Sequence, residues 1–134
     1  MTATCLTVLV ASERYALDVE HVLEITELRG LTPVPGAPEA VQGVCNVRGE
    51  VLPVLSVARL LGLGDGGDAA RMVVTDNAGR RSGLAVDEVL EVGPAPVLTE
   101  QVDTPLLDGA ALVEDALVGM INLPALLSAA EIGI

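Results

Sequence analysis

The sequence predicts an all-β protein built from two similar small β units, and three observations favour this fold class. Short apolar runs are separated by turn residues about every eight to twelve positions, a spacing typical of small β-barrels. Segments of the first half of the chain recur in the second half. The composition is 51% hydrophobic but only 1% aromatic, so the core must consist of aliphatic side chains.

The first half begins with strands that are separated by polar turns. Residues 6–10 form a β-rich apolar run, and residues 12–14 form a turn. Apolar and polar residues then alternate over 15–19, as they do in a strand with one buried face. A bulge at 20–21 and a further strand over 22–28 are expected before a proline-rich ordered loop.

The central segment, residues 41–63, predicts a hairpin followed by a short helix. Gly49 is the natural turn residue between two apolar runs. Pro53 lies inside the second run and removes one backbone donor, which predicts an edge strand or a bulge. Ser56 is expected to cap the helix at its start, and Gly62 is expected to end it.

The rest of the chain predicts further strands and a final helix. We expect a flexible Gly-rich loop over 64–70, strands over 71–75, 82–92 and 117–121, turns at 76–79, 108–109 and 114–115, and a helix from Pro124 to about residue 130.

An internal repeat relates the two halves. Residues 15–25 align with 82–92 at an offset of 67, and residues 50–61 align with 116–127 at an offset of 66. The second alignment places Asn122 at the helix-capping position of Ser56. Two segments that repeat at almost one offset indicate two related β units.

Length and charge exclude several classes of protein. The 134 residues suit one domain with a real core. A net charge of −12, with seven arginines and no lysine, argues against nucleic acid and anionic membranes as partners. No apolar run approaches the ~20 residues of a spanning helix. Because the N-terminus has no basic region before its apolar run, a soluble cytoplasmic protein without membrane insertion is expected.

Groups that could carry chemistry are few. Cys5 and Cys45 sit in apolar strand patterns without CxxC spacing, which indicates buried free thiols. The single histidine, His21, could pair with Cys45 as base and nucleophile, although an exposed histidine and a buried cysteine also fit. Ligand spacing for a metal is missing. The acidic loop 64–70 has no lysine for phosphate, and it is either a weak calcium loop or a plain loop. We therefore expect no catalytic, metal or cofactor site.

Arg48 is a permanent cation inside the otherwise apolar hairpin. It could rest its stem on the surface with its head in water. Alternatively, a carboxylate could hold it, and Glu24 in the neighbouring strand is the best candidate by type and place. A buried unpaired charge would be costly, so packing of the hairpin would favour the paired arrangement.

The hairpin also carries a family resemblance. The segment VQGVCNVRGEVLPVLSVARLLG resembles the signature of the CheW family, the adaptors of bacterial chemosensory arrays; the matching residues are Gly43, Val44, Asn46, Arg48, Gly49 and Pro53. YALDVEHVLEI, TPVPGAPEAV and GLAVDEVLEV resemble neighbouring family segments. The resemblance implies two pseudo-repeated five-stranded SH3-like barrels that share one core, with short helices. It implies a single CheW-like domain over 1–134, with one subunit from about 1–30 plus 98–134 and the other from about 31–97.

The resemblance implies a function as well as a fold. It points to a non-catalytic chemotaxis adaptor that couples a CheA-type histidine kinase, through the kinase's CheW-like regulatory domain, to chemoreceptor tips in cytoplasmic, membrane-associated arrays. The family positions that contact receptors correspond to Val22, Gly43, Val44 and Val89. Glu24 and Arg48 match a functional pair, and Asn46, Gly49 and Pro53 match the signature. Alternatives are an adaptor of a twitching or gliding pathway, a small ligand-binding barrel, or a thiol enzyme.

Overall fold

The structure is a computed structural model that describes residues 3–66 and 69–132. Along these residues run the strands β1 (Thr4–Val10), β2 (Glu13–Asp18), β3 (Val22–Glu27), β4 (Val41–Val47), β5 (Glu50–Ser56), β6 (Arg71–Asn77), β7 (Arg80–Val86), β8 (Glu88–Pro94), β9 (Leu107–Val113) and β10 (Ala116–Ile121). Helix α1 (Val57–Leu60) follows β5, helix α2 (Leu123–Ile132) follows β10, and a 3-10 turn (Val19–His21) joins β2 to β3.

The strands form two five-stranded sheets, and each sheet curls into a small SH3-like barrel. The first barrel has the strand order β8-β1-β2-β10-β9, and the second has the order β3-β6-β7-β5-β4. Neighbouring strands are antiparallel except at β2–β10 and β5–β7, which are parallel. The predicted fold class, two related β-barrels with short helices, is confirmed.

The division of the chain between the barrels differs from the prediction of 1–30 plus 98–134 against 31–97. Strand β3 pairs with β6 in the second barrel, and β8 pairs with β1 in the first. Each half of the chain therefore contributes its first two strands to one barrel and its last three strands to the other. The 3-10 turn redirects β3 in one half. In the other half, Asp87 interrupts the predicted strand over 82–92, and its carboxylate accepts a hydrogen bond from the Ala11 backbone N–H at 2.8 Å.

The internal repeat is visible in the pairing register. Met120 lies opposite Ala16 in the first barrel, and the repeat-equivalent Val54 lies opposite Gly83 in the second. The two halves thus share one topology and one register. The helix caps repeat as predicted, because Ser56 Oγ accepts the Arg59 N–H at 3.1 Å and Asn122 Oδ1 accepts the Ala125 N–H at 3.0 Å.

A shared aliphatic core lies between the barrels and explains why they form one domain. Its fully buried members include Leu6, Leu17, Val73, Leu84, Leu123 and Leu126. Each barrel also has a smaller interior cluster, around Met72 and Val54 in the second barrel and around Cys5 and Val118 in the first. Tyr15, the chain's one aromatic residue, is 9% exposed and packs in the shared core.

Several local predictions are wrong in instructive ways. Asp108 and Gly109, predicted as a turn, lie inside β9, where Gly109 pairs with Met120 and a register shift follows. The bulge expected at 20–21 is replaced by the 3-10 turn, and the strand irregularity comes between Val22 and Glu24 instead. Asp108 and Gly109 are typical turn residues, so the local pattern alone favoured a turn where the structure has an irregular strand.

Pro53 lies in an interior strand, where the sequence predicted an edge strand or a bulge in the strand itself. Val44, opposite Pro53, exchanges both backbone hydrogen bonds with Thr32 on its other side. Val44 and Pro53 are therefore a non-hydrogen-bonded pair. The parallel ladder from β5 to β7 begins only at Val54, so the missing N–H of Pro53 is not needed.

Two remaining predictions concern loops and membranes. The Gly-rich loop 64–70 contains Gly67 and Asp68, which lie outside the described residues. Within the described ranges, no helix is long and apolar enough to cross a membrane.

Candidate functional site: an ion-paired hairpin

The site is built around an ion pair between two strands that are far apart in the second sheet. Arg48 Nε donates a hydrogen bond to Glu24 Oε2 at 2.9 Å. Glu24 lies on β3, at one end of the sheet order, and Arg48 lies in the turn after β4, at the other end. The pair therefore spans the opening between the two edge strands and helps to close the barrel.

The local sequence of the hairpin fixes the position of Arg48. Both turn residues have positive φ, 52° at Arg48 and 85° at Gly49, as a two-residue turn of type I′ requires. Asn46 Oδ1 accepts the Gly49 backbone N–H at 2.9 Å and stabilises the turn. The signature residues Asn46 and Gly49 thus have a structural role, which is to present Arg48.

The ion pair is asymmetric in exposure. The Arg48 side chain is 82% exposed, and the Glu24 side chain is 25% exposed. Both alternatives raised by the sequence therefore hold in part, because a carboxylate holds the guanidinium while most of it faces solvent. Such a pair contributes about 0–1 kcal/mol to stability, so its donors remain available to a partner at little cost.

Two open cavities flank the ion pair. One, of about 340 Å³, is lined by Thr26, Arg29 and Cys45 as well as by the pair. The other, of about 260 Å³, lies towards Leu23 and Leu52. The ion pair thus lies between two cavities at the open end of the second barrel and lines both of them.

Gly43 is a position of close backbone approach on β4. Its φ is +155°, and a Cβ added there would lie 2.4 Å from the backbone oxygen of Thr32. Val44 pairs with the same residue, since the Thr32 and Val44 backbones exchange two hydrogen bonds of 2.9 Å. Glycine is therefore required for the segment around Thr32 to cover the edge of β4.

The predicted receptor-contacting residues occupy mixed environments. Val22, Val44 and Val89 are partly buried, and Gly43 is buried. Val22 and Val89 pack on the shared core from different barrels, at repeat-equivalent positions. None of the four lines the two cavities beside the ion pair. Their role in receptor binding stays a prediction.

Thiol and metal chemistry find no support in the described part of the chain. Cys5 and Cys45 are free and buried, as predicted, and burial raises the pKa of both thiols above its usual value of 9.0. Cys45 Sγ donates to the Arg29 carbonyl at 3.2 Å, and His21 Nδ1 lies 3.3 Å from the Asp76 carbonyl, so the two are not paired. No group of three potential metal ligands comes together among residues 3–66 and 69–132.

A second charged cluster, which the sequence reasoning missed, lies beside the hairpin. Arg81 donates to Glu50 at 3.1 Å and to Asp76 at 3.5 Å. The hydrogen bond between Arg81 and Glu50 and the negative charge of Glu50 raise the pKa of Arg81 above its ordinary value. The Asp76–Arg81 part was open to prediction, since these residues face each other across the tight turn between β6 and β7.

Fold and site together define a class of protein: a double SH3-like barrel with an ion-paired hairpin at one barrel mouth. Comparisons with known proteins agree with this class. A family model described as the CheW-like domain matches residues 4–131. The chain belongs to the CheW family.

Individual relatives support the same assignment. The probable chemotaxis protein CheW of Rhizobium etli is 30% identical over 124 residues, covering 83% of this chain and 80% of that protein. Protein FrzA of Myxococcus xanthus is 36% identical over 106 residues, covering 78% of this chain and 65% of that protein. The crystal structure of the scaffolding protein TtCheW from Thermoanaerobacter tengcongensis matches with a TM-score of 0.78 at 30% identity, covering 92% of this chain and 86% of that chain.

Proposed function

We propose that this chain is a non-catalytic adaptor that couples a CheA-type histidine kinase to the cytoplasmic tips of chemoreceptors. The 2.9 Å ion pair between Glu24 and Arg48 is the observation that carries the proposal. It holds an arginine on the signature hairpin with 82% of the side chain exposed. An exposed pair of this kind adds little to stability, so recognition of a partner is the better account of its place on the hairpin.

The receptor-binding surface consists of Val22, Gly43, Val44 and Val89. Three partly exposed β-branched side chains, beside the buried Gly43, offer a shallow apolar floor to an amphipathic helix. Arg48 and Glu24 lie on the second barrel, like Val22 and Val44, and supply the charged rim. A receptor tip built as a helical hairpin fits such a surface.

The kinase is bound through its own CheW-like regulatory domain, and the adaptor has no activity by itself. Two observations support this. The similar crystal structure is that of a scaffolding protein, and both cysteines of this chain are buried and form no disulfide. A scaffold of this kind acts in the cytoplasm, at membrane-associated receptor arrays. Its effect on kinase output therefore requires all three components together.

Reconstitution tests the proposal directly. Receptor-dependent autophosphorylation of the kinase is measured with and without this chain, and receptor binding is measured by co-sedimentation. Arg48→Ala and Val44→Asp should weaken receptor binding at least about tenfold, the loss typical of an interface anchor. Circular dichroism should show the fold unchanged.

Two matched substitutions control for charge and exposure. Arg14→Ala removes an exposed arginine of the first barrel, and Val97→Asp places a carboxylate at a valine that is 82% exposed. Both should leave receptor binding intact. The proposal is wrong if the wild-type chain neither binds the kinase nor changes its receptor-dependent phosphorylation.

A second candidate is an adaptor of another chemosensory pathway, such as one for twitching or gliding motility. The 36% identity to protein FrzA, a relative whose name is not CheW, favours keeping this candidate. Kinases and receptors from each pathway of the source organism, tested side by side in the same reconstitution, separate the two. The pathway whose kinase responds only in the presence of this chain is the one it serves.

A further inference from the structure

An apolar cleft opens between β5, β7 and α2, away from the ion pair. Its volume is about 190 Å³, and its lining combines mostly apolar residues with two arginines: Pro38, Val41, Pro53, Leu55, Arg80, Arg81, Ser82, Leu127 and Ala130. Pro53 is exposed, whereas Leu55 and Ser82 at the floor are buried. The cleft is therefore an opening in the surface that reaches down to the core.

The internal repeat shows what fills the corresponding place in the first barrel. Ser82 on β7 corresponds to Tyr15 on β2, at the offset of 67 residues. Tyr15 lies opposite Gly119 on β10, and a Cβ added to Gly119 would come within 3.0 Å of the tyrosine ring. The same Cβ would lie 3.2 Å from Leu107 Cδ1. An aromatic ring thus covers this glycine in the first barrel.

Three residues that line the cleft have repeat equivalents in the first barrel. Gly119, Ile121 and Leu107 of the first barrel are the repeat equivalents of Pro53, Leu55 and Val41, which line the cleft. In the first barrel the ring of Tyr15 fills the space, and Tyr15 is only 9% exposed. In the second barrel the equivalent residues line an opening, with Pro53 in place of Gly119.

The cleft exists because a small residue stands where the ring would be. The Ser82 hydroxyl points to Thr75, with 3.1 Å between the two side-chain oxygens, so it does not occupy the cleft. The sequence holds no Phe and no Trp, and its single Tyr is already buried in the first barrel. No aromatic side chain of this chain is available to fill the opening.

We propose that this cleft binds an aromatic side chain of a protein partner, in the place that Tyr15 takes in the first barrel. A cavity of roughly 150 Å³ with aliphatic walls can hold one benzene ring, so a volume of about 190 Å³ suits a single aromatic side chain. Pro53 in the cleft wall is paired with Val44, so the cleft adjoins the surface assigned to the receptor. The inference rests on the proposed adaptor function, because it assigns the ring to a partner of the adaptor.

A small probe tests the cleft independently of any partner. p-Cresol, which has the side chain of tyrosine, should shift the backbone amide resonances of Leu55, Ser82 and Leu127 in a ¹⁵N correlation spectrum. Ser82→Tyr, which supplies the missing ring, should abolish these shifts, and Ser82→Ala, which leaves the space open, should keep them. No shift in the wild-type chain up to the solubility limit of p-cresol overturns the proposal.

The alternative to a partner's ring in the cleft is the end of the chain itself, and truncation after Ala130 distinguishes the two. A chain that ends at Ala130 should show the same shifts with p-cresol as the full chain. Binding of p-cresol that appears only after truncation would mean that the chain covers its own cleft, and would overturn the proposal.

Partner binding supplies the second arm. Ser82→Tyr should weaken co-sedimentation with receptor at least about tenfold, whereas Ser82→Ala should bind like wild type. Pro53 stands where Gly119 leaves room for Tyr15, so the ring in Ser82→Tyr must enter the open cleft, and circular dichroism should show the wild-type fold. Unchanged receptor binding by Ser82→Tyr, with p-cresol still excluded, overturns the docking role. Failure of the wild-type chain to bind receptor at all would instead count against the adaptor function, while the p-cresol result would stand.

Discussion

Glu24 and Arg48 join the two strands that end the second sheet, through a 2.9 Å hydrogen bond between charged groups. The repeat-equivalent positions of the first barrel hold Glu91 and Glu114, two carboxylates. Glu114 has φ 49° and Arg48 has φ 52°, so the first turn residue has a similar backbone conformation in both barrels while its side chain differs. The ion pair therefore distinguishes the two barrel mouths, which are otherwise related by the repeat.

Removing the ion pair should affect stability only slightly. Arg48→Asn keeps a residue that tolerates positive φ, and Glu24→Gln keeps the shape of the side chain. Each should lower the free energy of unfolding by less than about 1 kcal/mol, because Arg48 is mostly exposed. Urea denaturation at low and high salt measures this, and the double variant gives the coupling energy. A coupling above about 2 kcal/mol would show that the pair is structural rather than available for recognition.

Building the pair into the first barrel should be possible with one substitution. Glu114→Arg places a guanidinium where Arg48 stands in the repeat, opposite Glu91. Replacing two neighbouring carboxylates by an ion pair should raise the free energy of unfolding by about 0.2–1 kcal/mol, and the gain should shrink in high salt. Glu114→Gln is the control that removes the repulsion alone. Equal stabilities of Glu114→Arg and Glu114→Gln would mean that the first barrel does not form the pair.

The sequence was sufficient to predict the hairpin, because Gly49 marks its turn by a local rule. The ion pair of Arg48 with Glu24 was only one of two alternatives, because β3 and β4 lie at opposite ends of the sheet order and meet only when the barrel closes. The caps at Ser56 and Asn122 were predictable by a local rule as well, since one side chain and one backbone donor define them.

The sequence was not sufficient to predict how strands are shared between barrels. The apolar patterns of β3 and β8 are compatible with pairing in either sheet. Their partners are therefore decided by tertiary packing, which the sequence pattern does not show. β9 was missed because Asp108 and Gly109 are typical turn residues, and here they form an irregularity within a strand. The cleft at Ser82 could not be predicted from the sequence either. It arises because Ser82 is smaller than Tyr15, its equivalent in the first barrel, and only the folded structure shows that the space stays open.

Gly43 should be the least replaceable glycine of the hairpin. Gly43→Ala would place a Cβ 2.4 Å from the Thr32 oxygen, at a φ of +155° that favours glycine. The free energy of unfolding should fall by about 1–3 kcal/mol through overpacking and backbone strain. Gly93→Ala is the control, because a Cβ there meets nothing within 4 Å and its φ is not positive. Equal urea midpoints for the two variants would contradict the close approach at Gly43.

Stability should decline at alkaline pH because three buried acids ionise more readily in the unfolded chain. Burial raises the pKa of the Cys5 thiol above 9.0, with a smaller effect from the charge of Asp18, and burial alone raises that of Cys45. Burial and the charge of Glu13 raise the pKa of Tyr15 above 10.0. Each group therefore releases its proton at lower pH in the unfolded state than in the folded state.

The sign of the effect follows from proton binding. Below pH 9 all three groups are protonated in both states, and their contribution to stability is fully present. As the pH rises through 9 and then 10, the unfolded chain binds fewer protons than the folded chain, so the free energy of unfolding falls. Urea denaturation between pH 8 and 11 measures the slope, and Cys45→Ala should make it shallower because one of the three ionising groups is removed. A free energy of unfolding that stays constant or rises over this range would mean that the two thiols and the phenol are not held protonated by the folded core.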